Sequence, residues 1–267
     1  MPDTLSEALL QELPDMPEEF KTRLLKVVRE WDNGEYWRKL KRDQDARTQR
    51  FYERFIKNGD LVFDIGANIG ERTEIFRALG AKVVAVEPHP DCVRVLNKKF
   101  SDDPNVTVVP RALGNHVGIG TLITGERSGI SSLSSPWIEA VRESNRFGEY
   151  QWDRKCEVEL DTLDFLVSQY GIPSFIKIDV EGFEDQVLSG LSTPVHSLSF
   201  EFNTEFLIST EACVRKLEKL GPVKFSYSTK ETMELHPEWL TGDEVLGYLD
   251  RYKHDNKMYG DVYARFA

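Results

Sequence analysis

The stretch Asp60-Leu-Val-Phe-Asp-Ile-Gly-Ala-Asn-Ile-Gly-Glu71 constrains the fold more than any other part of the chain. Residues 61–65 make a short apolar run of the kind buried on both sides in a parallel sheet. Gly66, Asn68 and Gly70 then impose a tight turn, where glycine permits a sharp backbone reversal and brings no Cβ towards a ligand. An amphipathic helix is predicted from about Glu71. A strand feeding a glycine-rich turn and a helix is the first unit of a doubly wound nucleotide-binding fold.

The rest of the chain is compatible with that fold. At 267 residues it is long enough for one large α/β domain with a substantial core. A formal net charge of -11 disfavours a general nucleic-acid binder, because phosphate affinity needs a basic face. Cys92, Cys156 and Cys213 are far apart, with no CxxC pair and no Cys/His cluster, so free thiols in a reducing compartment are expected. The N-terminus lacks a signal-peptide pattern and no apolar run is long enough to span a bilayer. The expectation is a cytoplasmic protein that engages no membrane.

Residues 1–58 read as a helical N-terminal extension, either a lid or packing against the domain. It carries three apolar stripes: Leu5 to Leu13, Phe20 to Trp31, and a charged third that sets Trp37, Leu40, Phe51, Phe55 and Ile56 towards the core. Residues 59–267 read as the ligand-binding domain. Strands are predicted at 81–86, 106–109, 156–160, 175–179 and 197–202, with helices at 90–100, 161–170 and 210–220. Between them, residues 116–156 are rich in Gly and Ser and read as an irregular insertion whose segment 128–135 could shape an acceptor pocket. The last strands, near 223–227 and 261–266, suit an antiparallel edge. The order predicts a doubly wound, mostly parallel sheet.

The turn also bears on the ligand. A dinucleotide fingerprint has a middle glycine where this chain has Asn68, and Glu71 and Glu74 put negative charge in the first helical turn. Both features disfavour a pyrophosphate and suit a cation. S-adenosyl-L-methionine carries a sulfonium and an amine and no phosphate. Asp64 is placed to face its amino-acid end, with the turn of Gly66, Ala67, Asn68 and Gly70 around it. Glu87, followed by Pro88 at the end of the second strand, is placed to accept from the ribose hydroxyls. Ala112 and Leu113 could form the adenine edge.

Phe63-Asp-Ile-Gly-Ala-Asn-Ile-Gly70, Val86-Glu-Pro88, Ala112-Leu-Gly-Asn115, Thr162-Leu-Asp164 and Lys177-Ile-Asp-Val-Glu-Gly-Phe-Glu184 together resemble the FkbM family of methyltransferases. The resemblance spans roughly residues 60–203, and Tyr259-Gly-Asp-Val-Tyr-Ala-Arg-Phe266 resembles the family's closing strand. It implies a Rossmann-like class I methyltransferase fold and S-adenosylmethionine-dependent O-methylation of a sugar or secondary-metabolite hydroxyl.

Within that reading Asp179, Glu181, Lys177 and Glu201 are the candidate catalytic residues. Asp179 also counts towards the donor site. Asp179 and Glu181 follow a central strand at the edge where open α/β sheets bind ligands, although capping of the next helix would also account for them. Lys177, within the strand, needs a carboxylate partner, for which Glu201 is the candidate. The alternatives are a structural ion pair and a base with lowered pKa. None of His89, His116, His196, His236 and His254 is favoured as base. Asp179 and Glu181 are too few ligands for a metal, so metal-independent transfer is expected. A non-catalytic binder of the same cofactor and a nicotinamide oxidoreductase are the competing classes.

Overall fold

The computed structural model describes residue 23 and residues 35–126 and 128–267. The apolar stripes read over residues 5–13 and 20–31 lie outside the described residues but for residue 23. The chain divides into two units, residues 1–50 and 51–267.

Apart from residue 23, the described part of the first unit is residues 35–50 of helix α1 (Glu35–Tyr52). It is held locally, by Thr48 Oγ1 donating to the Gln44 carbonyl at 2.9 Å and by a Lys41–Asp45 ion pair at 3.4 Å. Of the five positions expected to face a core here, Phe51, Phe55 and Ile56 are buried, whereas Trp37 and Leu40 are exposed. Arg38, Lys39, Lys41 and Arg42 surround those two positions and leave no continuous apolar stripe.

In the second unit the order is β1 (Leu61–Ile65), α2 (Glu71–Ala78), β2 (Lys82–Val86), α3 (Pro90–Lys99), β3 (Val106–Val109), β4 (Ala112–Leu113) and β5 (Gly118–Thr124). Then come α4 (Ser135–Glu143), β6 (Arg154–Asp161), α5 (Leu163–Tyr170), β7 (Phe175–Ile178), α6 (Glu184–Ser189), β8 (Ser197–Asn203), α7 (Leu207–Leu220), β9 (Val223–Thr229), α8 (Gly242–Asp250) and β10 (Tyr259–Phe266). The main sheet has seven strands in the order β3-β2-β1-β7-β8-β10-β9. The first five of these run parallel, and β10 lies antiparallel between β8 and β9. This is the expected doubly wound sheet with an antiparallel edge.

Both faces of the sheet are covered, which is why β1, β2 and β7 read as nearly unbroken apolar runs. One face carries Phe63, Ile65, Ile176, Ile178, Leu198 and Phe200. Against the other, Tyr52, Phe55, Phe76 and Phe175 join Phe51 and Tyr263 in a ring cluster with centroids 5.0 to 6.3 Å apart. Such pairs add about 0.5–1.5 kcal/mol each beyond their burial.

The irregular insertion expected at 116–156 is corrected. β5 pairs antiparallel with β6 from Gly118↔Leu160 to Thr124↔Arg154, and β4 completes a second, three-stranded sheet. Behind it α4 buries Trp137, Ile138 and Val141 with Trp152. Its Gly and Ser content serves close packing: a Cβ on Gly125 would meet the Gln151 carbonyl at 2.0 Å. Helix α8 is also absent from the sequence reading, although its capping box, Thr241 with Glu244, is a legible start signal. No disulfide joins the three cysteines. Among the described residues no helix is long and apolar enough to cross a membrane.

Candidate active site

Neighbouring β1 and β7 have their helices on opposite sides of the reversal in strand order, so a crevice opens at their carboxyl ends. The two following turns touch there. Gly66 has φ +81°, and a Cβ on it would stand 1.8 Å from the Asp179 carbonyl oxygen. Only glycine lets the β1 turn and the β7 turn approach so closely. Asp179 N in turn donates to the Ile65 carbonyl at 2.9 Å.

One cleft runs over this junction. It is lined by Asn68, Glu87, Pro88, Ala112 and Leu113 towards β2, by Gly66 and Asp179 where the two turns meet, and by Glu181 and Glu201 towards β8. Asn68 sits in the left-handed region at φ 48°, which asparagine tolerates well, and its amide donates to Glu87 Oε2 at 2.8 Å. The His89 amide donates to Glu87 Oε1 at 2.7 Å. Burial pushes the Glu87 carboxyl up to about 7 despite these two bonds. His89 itself is the N-cap of α3, its Nδ1 accepting from the Asp91 amide at 3.2 Å.

Some expected residues lie behind the wall rather than in it. Asp64 is 2% exposed and does not line the cleft; its Oδ2 accepts from Thr73 Oγ1 at 2.6 Å. Burial raises the Asp64 pKa. Ala67 packs with Ala85 and Leu96 under the turn, and a Cβ on Gly70 would strike Leu96 and Phe100. Glu71 and Glu74 are outside the cleft wall as well, and Glu74 is bound to Lys99 at 2.8 Å. The selection of a cation attributed to these glutamates is therefore corrected. The negative charge in the cleft belongs to Glu87 and to the cluster of Asp179, Glu181 and Glu201.

That cluster comes from two elements. Asp179 and Glu181 occupy the turn after β7, and Glu201 projects from β8; one carboxylate oxygen of each lies within 4.8 Å of the others. Glu181 has φ 55° and Gly182 φ 83°, two successive left-handed residues that fold the turn over the sheet edge. Glu184 Oε1 accepts from the Val180 and Gly182 amides at 3.2 Å each, a cap for the turn. Burial pushes Glu181 and Glu201 well up, and neighbouring carboxylates add to it: chiefly Asp179 for Glu181, and Glu181 for Glu201.

Lys177 does not pair with Glu201. Its ammonium, 4% exposed, lies 3.1 Å from Asp179 and 3.1 Å from Asp261 on β10. Burial alone would lower its pKa, but the two carboxylates outweigh that and hold it well above its ordinary value. The alternative of a neutral lysine base is corrected on that ground. Asp261, which local sequence pattern does not mark, is a structural partner delivered by the antiparallel strand.

The insertion supplies the remaining wall. Gly129, Ser131 and Leu133 line the cleft together with Arg111, whose guanidinium is held by Asp161 at 2.5 Å and Glu159 at 2.8 Å. Ser132 Oγ donates to the Glu181 carbonyl at 2.6 Å, and Trp137 packs on Gly182, where a Cβ would meet its ring at 2.2 Å. Arg111 could have been suspected from its place beside Ala112. The serines could not, because only the pairing of β5 with β6 carries them here.

A seven-stranded sheet of this order, with the antiparallel strand next to the edge and a β2-end carboxylate in the switch-point cleft, defines a Rossmann-like class I methyltransferase fold. Residues 64–249 match the family described as Methyltransferase FkbM domain, and the chain belongs to that family of methyltransferases. It is 28% identical over 170 residues to the hexuronic acid methyltransferase AglP of Haloferax volcanii, a match covering 62% of this chain and 64% of AglP. Solved structures similar to it include a precorrin-6y C5,15-methyltransferase from Geobacter metallireducens, at 11% identity and TM-score 0.45 over 84% of this chain and 86% of that one. Another is an S-adenosylmethionine-dependent O-methyltransferase from Thermotoga maritima, at 12% identity and TM-score 0.39 over 84% and 65% of the two chains.

Proposed function

We propose that this protein is an S-adenosyl-L-methionine-dependent O-methyltransferase acting on a hydroxyl of a sugar or secondary metabolite. The observation that carries the reading is the division of one cleft: a buried, hydrogen-bonded Glu87 towards β2, and three clustered carboxylates from the meeting of the two turns towards β8.

The donor fits the Glu87 side. Glu87 spends one lone pair of each oxygen on a backbone amide, and a carboxylate retains capacity for two ribose hydroxyls. Ala112 and Leu113 offer an apolar edge for adenine, and the Gly66–Asn68 turn admits a backbone-close ligand. The donor supplies an activated methyl group on a sulfonium.

What the chain's own residues contribute is alignment and proton management. Fixing an acceptor oxygen in line with the methyl–sulfur bond yields most of the acceleration available here. The acceptor's proton must leave as the new bond forms. Asp179, Glu181 and Glu201 stand together in the cleft, where a carboxylate can take it, and Lys177 positions Asp179. AglP's name, hexuronic acid methyltransferase, favours a sugar among the acceptor classes.

Calorimetry tests the donor: binding of S-adenosylmethionine and its demethylated product, with no binding of NAD, is expected. Absence of affinity for both sinks the reading. Transfer of labelled methyl to uronic acids, neutral sugars and polyketide alcohols then identifies the acceptor class, and no transfer to any hydroxyl would leave a binder of the cofactor.

A further inference from the structure

Three carboxylates within 4.8 Å of one another in a cleft repel each other, and the cations nearby are fewer than the carboxylates they serve. Lys177 is shared by Asp179 and Asp261. Arg146, the other cation acting on Glu181, is committed as a fork to both oxygens of Glu205. The Arg72 guanidinium, paired with Glu231 at 3.6 Å, also acts on Asp179 and Asp261, so four carboxylates, Asp179, Glu181, Glu201 and Asp261, share two cations, Lys177 and Arg72.

A second feature of β8 points to what such a cluster would hold. Glu201 Oε2 and Asn203 Oδ1 are buried acceptors with no hydrogen-bond donor. Asn203 is 8% exposed. The two residues are two positions apart on one strand, so their side chains stand on the same face of the sheet. It is the face of Lys177 and Asp261: Glu201 is in register with Asp261 and Asn203 with Tyr259, while Phe200 and Phe202 turn to the apolar core on the opposite side. Asn203 ends β8, and Asp179 and Glu181 follow the parallel β7, so the amide stands on the face and at the sheet edge that carry the carboxylates. A neutral oxygen without a donor beside a group of anionic ones asks for a cation.

We propose that Asp179, Glu181 and Glu201, with the Asn203 amide oxygen, bind one hard divalent cation of the magnesium or manganese type. The donors are all oxygen, and no cysteine or histidine lines the cleft, which sets the site apart from a zinc centre. Asp179 offers Oδ1 to the cation while Oδ2 remains with Lys177. The expectation of metal independence counted only Asp179 and Glu181; β8 brings the third and fourth ligands. A hydroxyl coordinated there would release its proton to solvent more readily before its oxygen attacks. That role rests on the methyl-transfer reading, whereas binding of the cation does not.

The test uses the full chain, stripped with a chelator and desalted, with no methyl donor present. Manganese chloride is titrated in while free manganese is read by electron paramagnetic resonance, and magnesium chloride is then added as competitor. One manganese ion per chain, displaced by magnesium, is expected. Glu201→Gln should weaken it at least about tenfold, a loss of about 1.4 kcal/mol, whereas the exposed substitution Glu211→Gln should leave it unchanged. Circular dichroism establishes that Glu201→Gln is folded, and Asp179→Asn takes its place if it is not. No uptake by the stripped protein at millimolar manganese overturns the proposal, since the cluster then carries protons instead. So does uptake that the cleft variant does not alter. Neither result touches donor binding, so failure here and failure of the methyltransferase reading are separable.

Discussion

Asp261, on the one strand of the main sheet that runs against its neighbours, holds the Lys177 ammonium at 3.1 Å. The antiparallel edge therefore reaches the centre of the candidate site, since the same ammonium orients Asp179. Removing the lysine leaves two carboxylates without their cation, and breaking a buried pair in this way costs about 3–5 kcal/mol. Because Asp179 is partly solvated, Lys177→Met should destabilise by about 3 kcal/mol in urea titrations at pH 7. The raised lysine pKa adds stability that is complete below its unfolded value and is lost only as pH rises through the higher folded one. The wild-type contribution should therefore be flat across neutral pH; a loss on going from pH 6 to 8 would refute this assignment.

With Glu87 as the proposed ribose acceptor, donor binding should depend on pH. Its folded pKa of about 7, raised by burial, means that the free protein holds a proton there below neutrality. Hydroxyls of a ribose donate to the ionised form, so binding must expel that proton. Donor affinity should fall as pH drops below about 7, approaching tenfold per unit. The folded state binds this proton more tightly than the unfolded chain does, so Glu87 also subtracts stability progressively as pH rises from about 4.5 to about 7. Calorimetry at several pH values in buffers of different ionisation enthalpy measures the proton release. Glu87→Ala should weaken the donor by about 1–3 kcal/mol and abolish the dependence.

Gly66→Ala should be among the most damaging single-methyl changes in the protein. The added Cβ would fall 1.8 Å from a backbone carbonyl at a left-handed φ, and neither turn can move without losing the β1–β7 junction. A loss of at least about 3 kcal/mol is expected in chemical denaturation. If the variant folds with wild-type stability and binds the donor normally, the described contact between the two turns is wrong.

Trp137 tests whether the insertion supports the site. It is fully buried and seated on Gly182, the second left-handed residue of the carboxylate turn. Trp137→Ala should cost about 3–5 kcal/mol. Transfer activity should suffer more than donor affinity, because the cavity opens beneath Glu181 and away from Glu87. Equal losses in both would argue against that division of the cleft.

The backbone and burial pattern around Glu87 and the β1 turn was legible in the sequence. A buried strand, glycines at Gly66 and Gly70, an asparagine suited to a left-handed φ and an acidic residue closing the next strand are all coded within about thirty residues, each by its own backbone or burial requirement. The position of Asp179 and Glu181 after a central strand was equally readable. What chain order could not specify is convergence over distance. Which carboxylates share Lys177, whether Asp64 and the helix-start glutamates face the cleft or their own neighbours, and the ordered β5–β6 sheet within a Gly- and Ser-rich stretch were decided by tertiary packing. Strand pairing sets which face meets which, and an ionised group takes the partner that burial leaves within reach. Asp261 lies 84 positions from Lys177 in the chain and 3.1 Å from it in the fold.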